Sequence, residues 1–181
     1  MGTRNLTVVK LNGEYKIAQY GQWDGYPSGQ GLTALTFLRS KTNRNQLKRQ
    51  LKHCVFVPLE DLQLAYRTDS DRFKATYPFM NRDHGAEILE LVANTKNKPI
   101  FLQNEIAFSG DSLFCEWAYV IDFDEGTFEV YEGFNKEPLK KGERFAPYDQ
   151  GKEYRPIRLV RKYSLDKLPT DKSFLKLENN T

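Results

Sequence analysis

Two strand-like runs joined by Asn12-Gly13 constrain this chain more than any other stretch. Leu6 to Leu11 is apolar and β-branched, and Tyr15 to Tyr20 follows the dipeptide. Asn and Gly both accept positive φ, which a two-residue hairpin turn of matching twist demands, so the pair predicts a β-hairpin. In the first run Thr7, Val9 and Leu11 take one face and Leu6 and Val8 the other. Apolar residues on both faces predict a strand covered on both sides, hence an interior one.

Beyond the hairpin the pattern turns helical. Leu32, Leu35 and Leu38 form one stripe, which predicts a helix over Gly29–Ser40 with Ser28 as N-cap. Between Arg39 and Lys52 stand Arg39, Lys41, Arg44, Lys48, Arg49 and Lys52 with no acid. Leu47, Leu51 and Cys54 recur at helical spacing there, so the segment reads as an amphipathic helix with a cationic outer face. Pro58 suits the first position of a helix carrying Leu59, Leu62, Ala65 and Tyr66. Asp69 or Ser70 caps a short helix ending before Pro78, and Ile88, Leu91 and Val92 mark another after Asp83.

After Pro99 strands return at Ile100–Leu102, Glu116–Phe123, Phe128–Tyr131 and Ile157–Tyr163. Asp124-Glu125-Gly126 joins the second of these to the third as a hairpin. Lys136–Lys152 is polar and rich in Pro, Gly and Lys, the composition of a long loop, and residues 175–181 are expected to fray. The expectation is an α+β fold in one domain, 1–181. Its mostly antiparallel sheet comes from an N-terminal and a C-terminal hairpin, with a helical segment between.

Composition narrows the function classes. The 39% hydrophobic and 28% charged residues argue against disorder. No apolar run approaches ~18 residues, so no membrane span is expected. The N-terminus lacks secretory-signal regions, and Leu6 stands where a myristoylation signal wants Ser or Thr. The expected compartment is the cytoplasm, that of the host if the chain is viral. Cys54 and Cys115 lack metal-site spacing and read as small buried hydrophobes, with only His53 and His84 available to activate a thiol. No metal and no cofactor are expected. Phosphate-loop, dinucleotide, zinc-protease and nucleophile-elbow spacings are all missing from the sequence.

The candidate functional surface is Gln19-Tyr20-Gly21-Gln22-Trp23-Asp24-Gly25-Tyr26-Pro27-Ser28-Gly29-Gln30-Gly31. Its aromatics and glycines are interleaved with amides and one carboxylate, too polar for a core strand and too stiff for a linker. Pro27 restricts Tyr26 to extended backbone, and Asp24-Gly25 is a turn signal. A two-residue hairpin turn brings Arg4 back toward this loop, where it can pair with Asp24 or join it in holding a polar ligand. The binding candidates are Arg4, Gln19, Tyr20, Gln22, Trp23, Asp24 and Tyr26.

Gly2-Thr3-Arg4-Asn5-Leu6, followed by this loop, resembles a family of uncharacterised proteins of bacteriophages, bacteria and fungi. Many phage members of that family carry His where this chain has Gln22. Weaker similarity lies in Arg82–Leu91 and Leu113–Asp122. The resemblance implies a shared fold and a viral or mobile-element source, and no reaction.

Three functions follow as expectations. Stacking aromatics, a cation, amides and a carboxylate suit a planar polar ligand, nucleotide-like, or a host factor bound for host takeover or anti-defence. A small hydrolase would use Asp24 or Asp83 with Arg4. Nucleic-acid binding would use the Arg39–Lys52 helix.

Overall fold

A computed structural model of the chain describes residues 2–68 and 70–180. The N-terminal hairpin forms as its turn requires. β1 (Asn5–Leu11) and β2 (Glu14–Gly21) pair antiparallel, with Asn12 at φ 56° and Gly13 at φ 78°. Both turn N–H groups donate to the Asp124 carboxylate, at 2.7 and 2.8 Å. The turn is therefore held by a residue more than a hundred positions away as well as by its own backbone preference.

After a π-helical turn at Pro27–Gly31 come α1 (Leu32–Arg39), α2 (Lys41–Gln50), β3 (Cys54–Phe56), α3 (Leu59–Thr68) and α4 (Ser70–Thr76). Then follow α5 (Ile88–Ala93), β4 (Ile100–Leu102), β5 (Trp117–Asp122), β6 (Thr127–Glu132), β7 (Arg158–Ser164) and α6 (Asp171–Phe174). The fold is α+β. The main sheet has the order β2-β1-β5-β6-β7, antiparallel except for the central β1–β5 pair, which is parallel. Parallel neighbours need a long crossover, and here the whole helical middle supplies it.

β1 is interior, and both of its faces are covered. Val9 and Ile17, with Tyr119, Ile121 and Phe128, pack against α1, α2, α5 and Phe174. Leu6, Val8 and Ala18, with Ala118, Val120 and Tyr131, pack against Ile106, Phe145 and Ile157. Each fully buried Leu, Ile or Phe stabilises the fold by about 1.5–3 kcal/mol. The second layer is largely loop: residues 136–152 hold a short 3-10 turn, Ala146–Tyr148, and lay Phe145 completely out of solvent.

Several boundaries differ from those read in the sequence. α1 starts at Leu32, because Pro27 and two glycines favour the preceding π-turn over a regular first turn. Ser28 is no cap: its N–H donates to Glu178 Oε2 at 3.0 Å. The basic segment is not one helix. Ser40 is extended (φ −80°, ψ 111°), and its hydroxyl accepts from the Asn43 N–H at 3.2 Å, capping α2. Cys54 opens β3, which pairs parallel with β4 in a separate small sheet. On α5 the buried residues are Ile88, Leu89, Val92 and Ala93, whereas Leu91 is exposed.

The tail expected to fray from residue 175 forms a 3-10 turn, Leu175–Asn180, and buries Leu177 against the main core. Asp69 and Thr181 lie outside the described residues, as do the side chains of Ala65, Tyr66 and Ser70.

Candidate functional site

The Gln19–Gly31 run leaves the sheet at the end of β2 and is fixed by the backbone around it. The Gln22 N–H donates to the Arg82 carbonyl at 2.9 Å, and the Gly25 N–H donates to the Thr3 carbonyl at 2.9 Å. The Gln30 N–H closes the turn on the Asp24 carbonyl at 2.8 Å. From the core, the buried Tyr119 hydroxyl donates to the Gly25 carbonyl at 2.7 Å. Asn5 Nδ2 donates to the carbonyls of Gly21 and Trp23, each at 3.3 Å. The packing needs glycine at 29, where a Cβ would sit 2.2 Å from the Asp24 carbonyl oxygen.

Each expected binding residue has a definite place. Gln19 is buried, and its amide donates to the carbonyls of Tyr20 and Asn81 at 2.8 and 3.0 Å. The Tyr20 hydroxyl donates to Gln22 Oε1 at 2.6 Å, and its ring meets Phe108 edge-on at 5.0 Å. Burial pushes the Tyr20 phenol upward, against the opposing charges of Arg4 and Arg82. Those amides therefore hold the loop's shape.

Trp23 and Tyr26 remain 48% and 45% exposed. The Trp23 indole N–H donates to Asp83 Oδ1 at 3.0 Å, and its ring lies over Gly2. Asp24 is exposed and sits at φ 52°, a left-handed conformation that is uncommon outside glycine. Its carboxylate makes no hydrogen bond or ion pair among the described residues. The Arg4–Asp24 ion pair anticipated from the sequence does not form.

Arg4 instead stacks on Phe114, with its guanidinium carbon 4.5 Å from the ring centroid. Its Nε is buried without a hydrogen-bond partner. An orphaned buried N–H costs about 1–3 kcal/mol, so such a group is one that a ligand oxygen would satisfy. A cavity of about 70 Å³ lies nearby, lined by Gln19, Tyr20, Met80, Arg82, Gln103 and Glu105. Burial raises the Glu105 carboxyl above its ordinary value, only partly offset by the Gln103 hydrogen bond.

A charged cleft escapes the sequence reading. Asp122 and Glu129 are buried on β5 and β6, and Arg144 reaches them from the long loop. Its Nη2 donates to Asp122 Oδ2 at 2.7 Å and its Nε to Glu129 Oε2 at 2.9 Å. The Tyr131 hydroxyl donates to Glu129 Oε2 at 2.6 Å, while Lys10 and Lys162 lie 3.5 and 3.2 Å from the two carboxylates.

Burial pushes the Asp122 carboxyl up, but the Arg144 hydrogen bond, the Glu125 N–H and the charges of Arg144 and Lys10 outweigh it and leave it low. Glu129 is likewise raised by burial and brought below its ordinary value by Arg144, Tyr131 and Lys162. The cleft above them holds about 420 Å³. Asp122 and Glu129 are ionised and paired, an arrangement that clasps the loop to the sheet. The available signal was an acid inside each apolar strand; Arg144, in a loop full of lysines, gave none.

Other candidates are committed elsewhere. Burial pushes the Cys54 thiol up to about 12 and raises Cys115 further, so neither is a nucleophilic thiolate. Of the basic segment, Arg39 pairs with Asp171 at 2.6 Å, Arg44 bonds the carbonyls of Leu38 and Leu165, and Lys48 covers Phe123. Among the described residues no group of three or more His, Cys, Asp or Glu could hold a metal, and no helix is long and apolar enough to cross a membrane. Comparison of the chain with family models, with curated proteins and with solved structures finds no match.

Proposed function

We propose that this chain is a ligand-binding protein whose Gln19–Gly31 loop recognises a planar, polar molecule of the nucleotide kind. One observation carries the reading. The loop's backbone is fixed on several sides, yet Trp23, Tyr26 and the Asp24 carboxylate point outward with no structural task that needs all three. Preorganised aromatic and polar groups lose little entropy on binding, so exposed side chains on a rigid turn favour recognition. An exposed indole and phenol offer stacking faces, and the carboxylate offers an acceptor for a ring amino group or a sugar hydroxyl.

The test is native mass spectrometry of the protein purified from its host, alongside Trp23→Ala. A retained small molecule in the parent protein that is lost from the variant supports the loop as the site. Equal retention by W23A sinks it. A co-purifying protein in place of a small molecule, lost in the same variant, would assign the loop to a host factor.

A further inference from the structure

We propose that Arg4 and Arg82 form a phosphate-binding subsite around Tyr20, at the sheet end of the recognition loop. The subsite extends the loop reading, on which the identity of the rest of the ligand rests. Tyr20 pairs with Leu6 across β1–β2, and strand alternation puts Arg4, two residues before Leu6, on the same face as that tyrosine. Arg82 is held beside the same strand end: its carbonyl accepts from the Gln22 N–H at 2.9 Å, and its side chain lines the same small cavity as Tyr20.

Neither guanidinium has a hydrogen bond or an ion pair among the described residues. That sets them apart from Arg39, Arg144, Arg155 and Arg158, each of which is bridged to a carboxylate. Phe114 fixes the Arg4 plane by stacking, and the orphaned, buried Nε lacks an acceptor. Planar guanidinium groups bind phosphate oxygens as a fork, and two of them match a dianion better than a monoanionic carboxylate.

Glu105 lines the same cavity and opposes an anion when ionised. Burial raises its carboxyl above the ordinary value, with the Gln103 hydrogen bond opposing the shift, so the two guanidiniums must outweigh its charge. Arg82 lines the cavity of about 70 Å³ and Arg4 does not, so an oxyanion held by both sits at its edge beside Tyr20, with the planar part of such a ligand outside.

The experiment is isothermal titration with inorganic phosphate, using the parent protein, Arg82→Ala, Arg4→Met, Arg4→Lys and Trp23→Ala. Arg82 is exposed, so R82A keeps the fold, and R4K controls for any packing loss in R4M. The expected result is binding by the parent and by W23A, with affinity at least about tenfold weaker in R82A and R4M and partly kept in R4K. Phosphate affinity equal in the parent, R82A and R4M overturns the subsite, as does no phosphate binding by the parent. The loop reading fails separately. Phosphate binding lost in R82A but kept in W23A supports the subsite even if no planar ligand is found. A Trp23-dependent planar ligand without any phosphate effect refutes the subsite and leaves the loop standing.

Discussion

Asp24 is where local backbone strain and exposed chemistry coincide. At φ 52° it sits where glycine would be easier, yet its carboxylate satisfies nothing within the described protein. A left-handed non-glycine residue costs on the order of 1 kcal/mol. Asp24→Gly is therefore expected to leave thermal stability unchanged or to raise it by up to about 1 kcal/mol, while weakening ligand retention. A scanning-calorimetry midpoint that falls clearly would show that the aspartate is structural. Trp23 is its counterpart: the motif located the aromatic, and the structure shows it half exposed and oriented by Asp83. The same sequence motif did not distinguish Gln19 and Gln22 from these two. The Gln19 amide donates to the Tyr20 and Asn81 carbonyls and the Gln22 amide accepts from the Tyr20 hydroxyl, and the Asn81 partner exists only once the 81–82 segment docks beside β2.

At the scale of elements, the Gln19–Gly31 loop and the first hairpin both depend on remote anchors. The Tyr119 hydroxyl reaches the Gly25 carbonyl from β5, so Tyr119→Phe leaves a buried carbonyl short of its donor and should cost about 1–3 kcal/mol. Hydrogen exchange should quicken at residues 22–30 in that variant, with little change in α2. Uniform exchange across the chain would count against a loop anchored there. The Asn12-Gly13 turn is anchored in turn by the Asp124 carboxylate, and Asp124→Ala should cost about 1 kcal/mol by removing an exposed, charge-assisted acceptor. Urea denaturation of that variant measures it. The element most misread was the basic segment. The apolar stripe ends the first helix at Ser40, but the charge pattern starts the next at Arg39 and so hides that Ser40 also caps it.

For the whole molecule, the loop at 136–152 covers one face of the sheet and is pinned by Arg144 and Phe145. Arg144→Met leaves two buried carboxylates without their main partner, which should cost about 3–5 kcal/mol. Trypsin should then cut first at Lys140 or Lys141. Folded-state values for Asp122 and Glu129 lie below the ordinary ones, so their contribution is complete above the ordinary carboxylate range. It declines as pH falls through the lower folded values, beginning under about pH 4. Chemical denaturation from pH 6 downward should show this loss in the parent and much less of it in R144M.

Turn chemistry and period-two alternation are local. They sufficed for the hairpin at Asn12-Gly13, for the covered faces of β1 and for the β5–β6 hairpin, because each depends on residues within a few positions of one another. The aromatic and glycine loop was legible for the same reason. The pairing of β1 with β5, the clasp of Arg144 on two strands and the docking of the Arg82 carbonyl on the Gln22 N–H join residues far apart in the chain. A contact across such a span leaves no period and no motif. It is selected by the burial and charge pairing that the whole fold makes available, and only the tertiary structure reveals it.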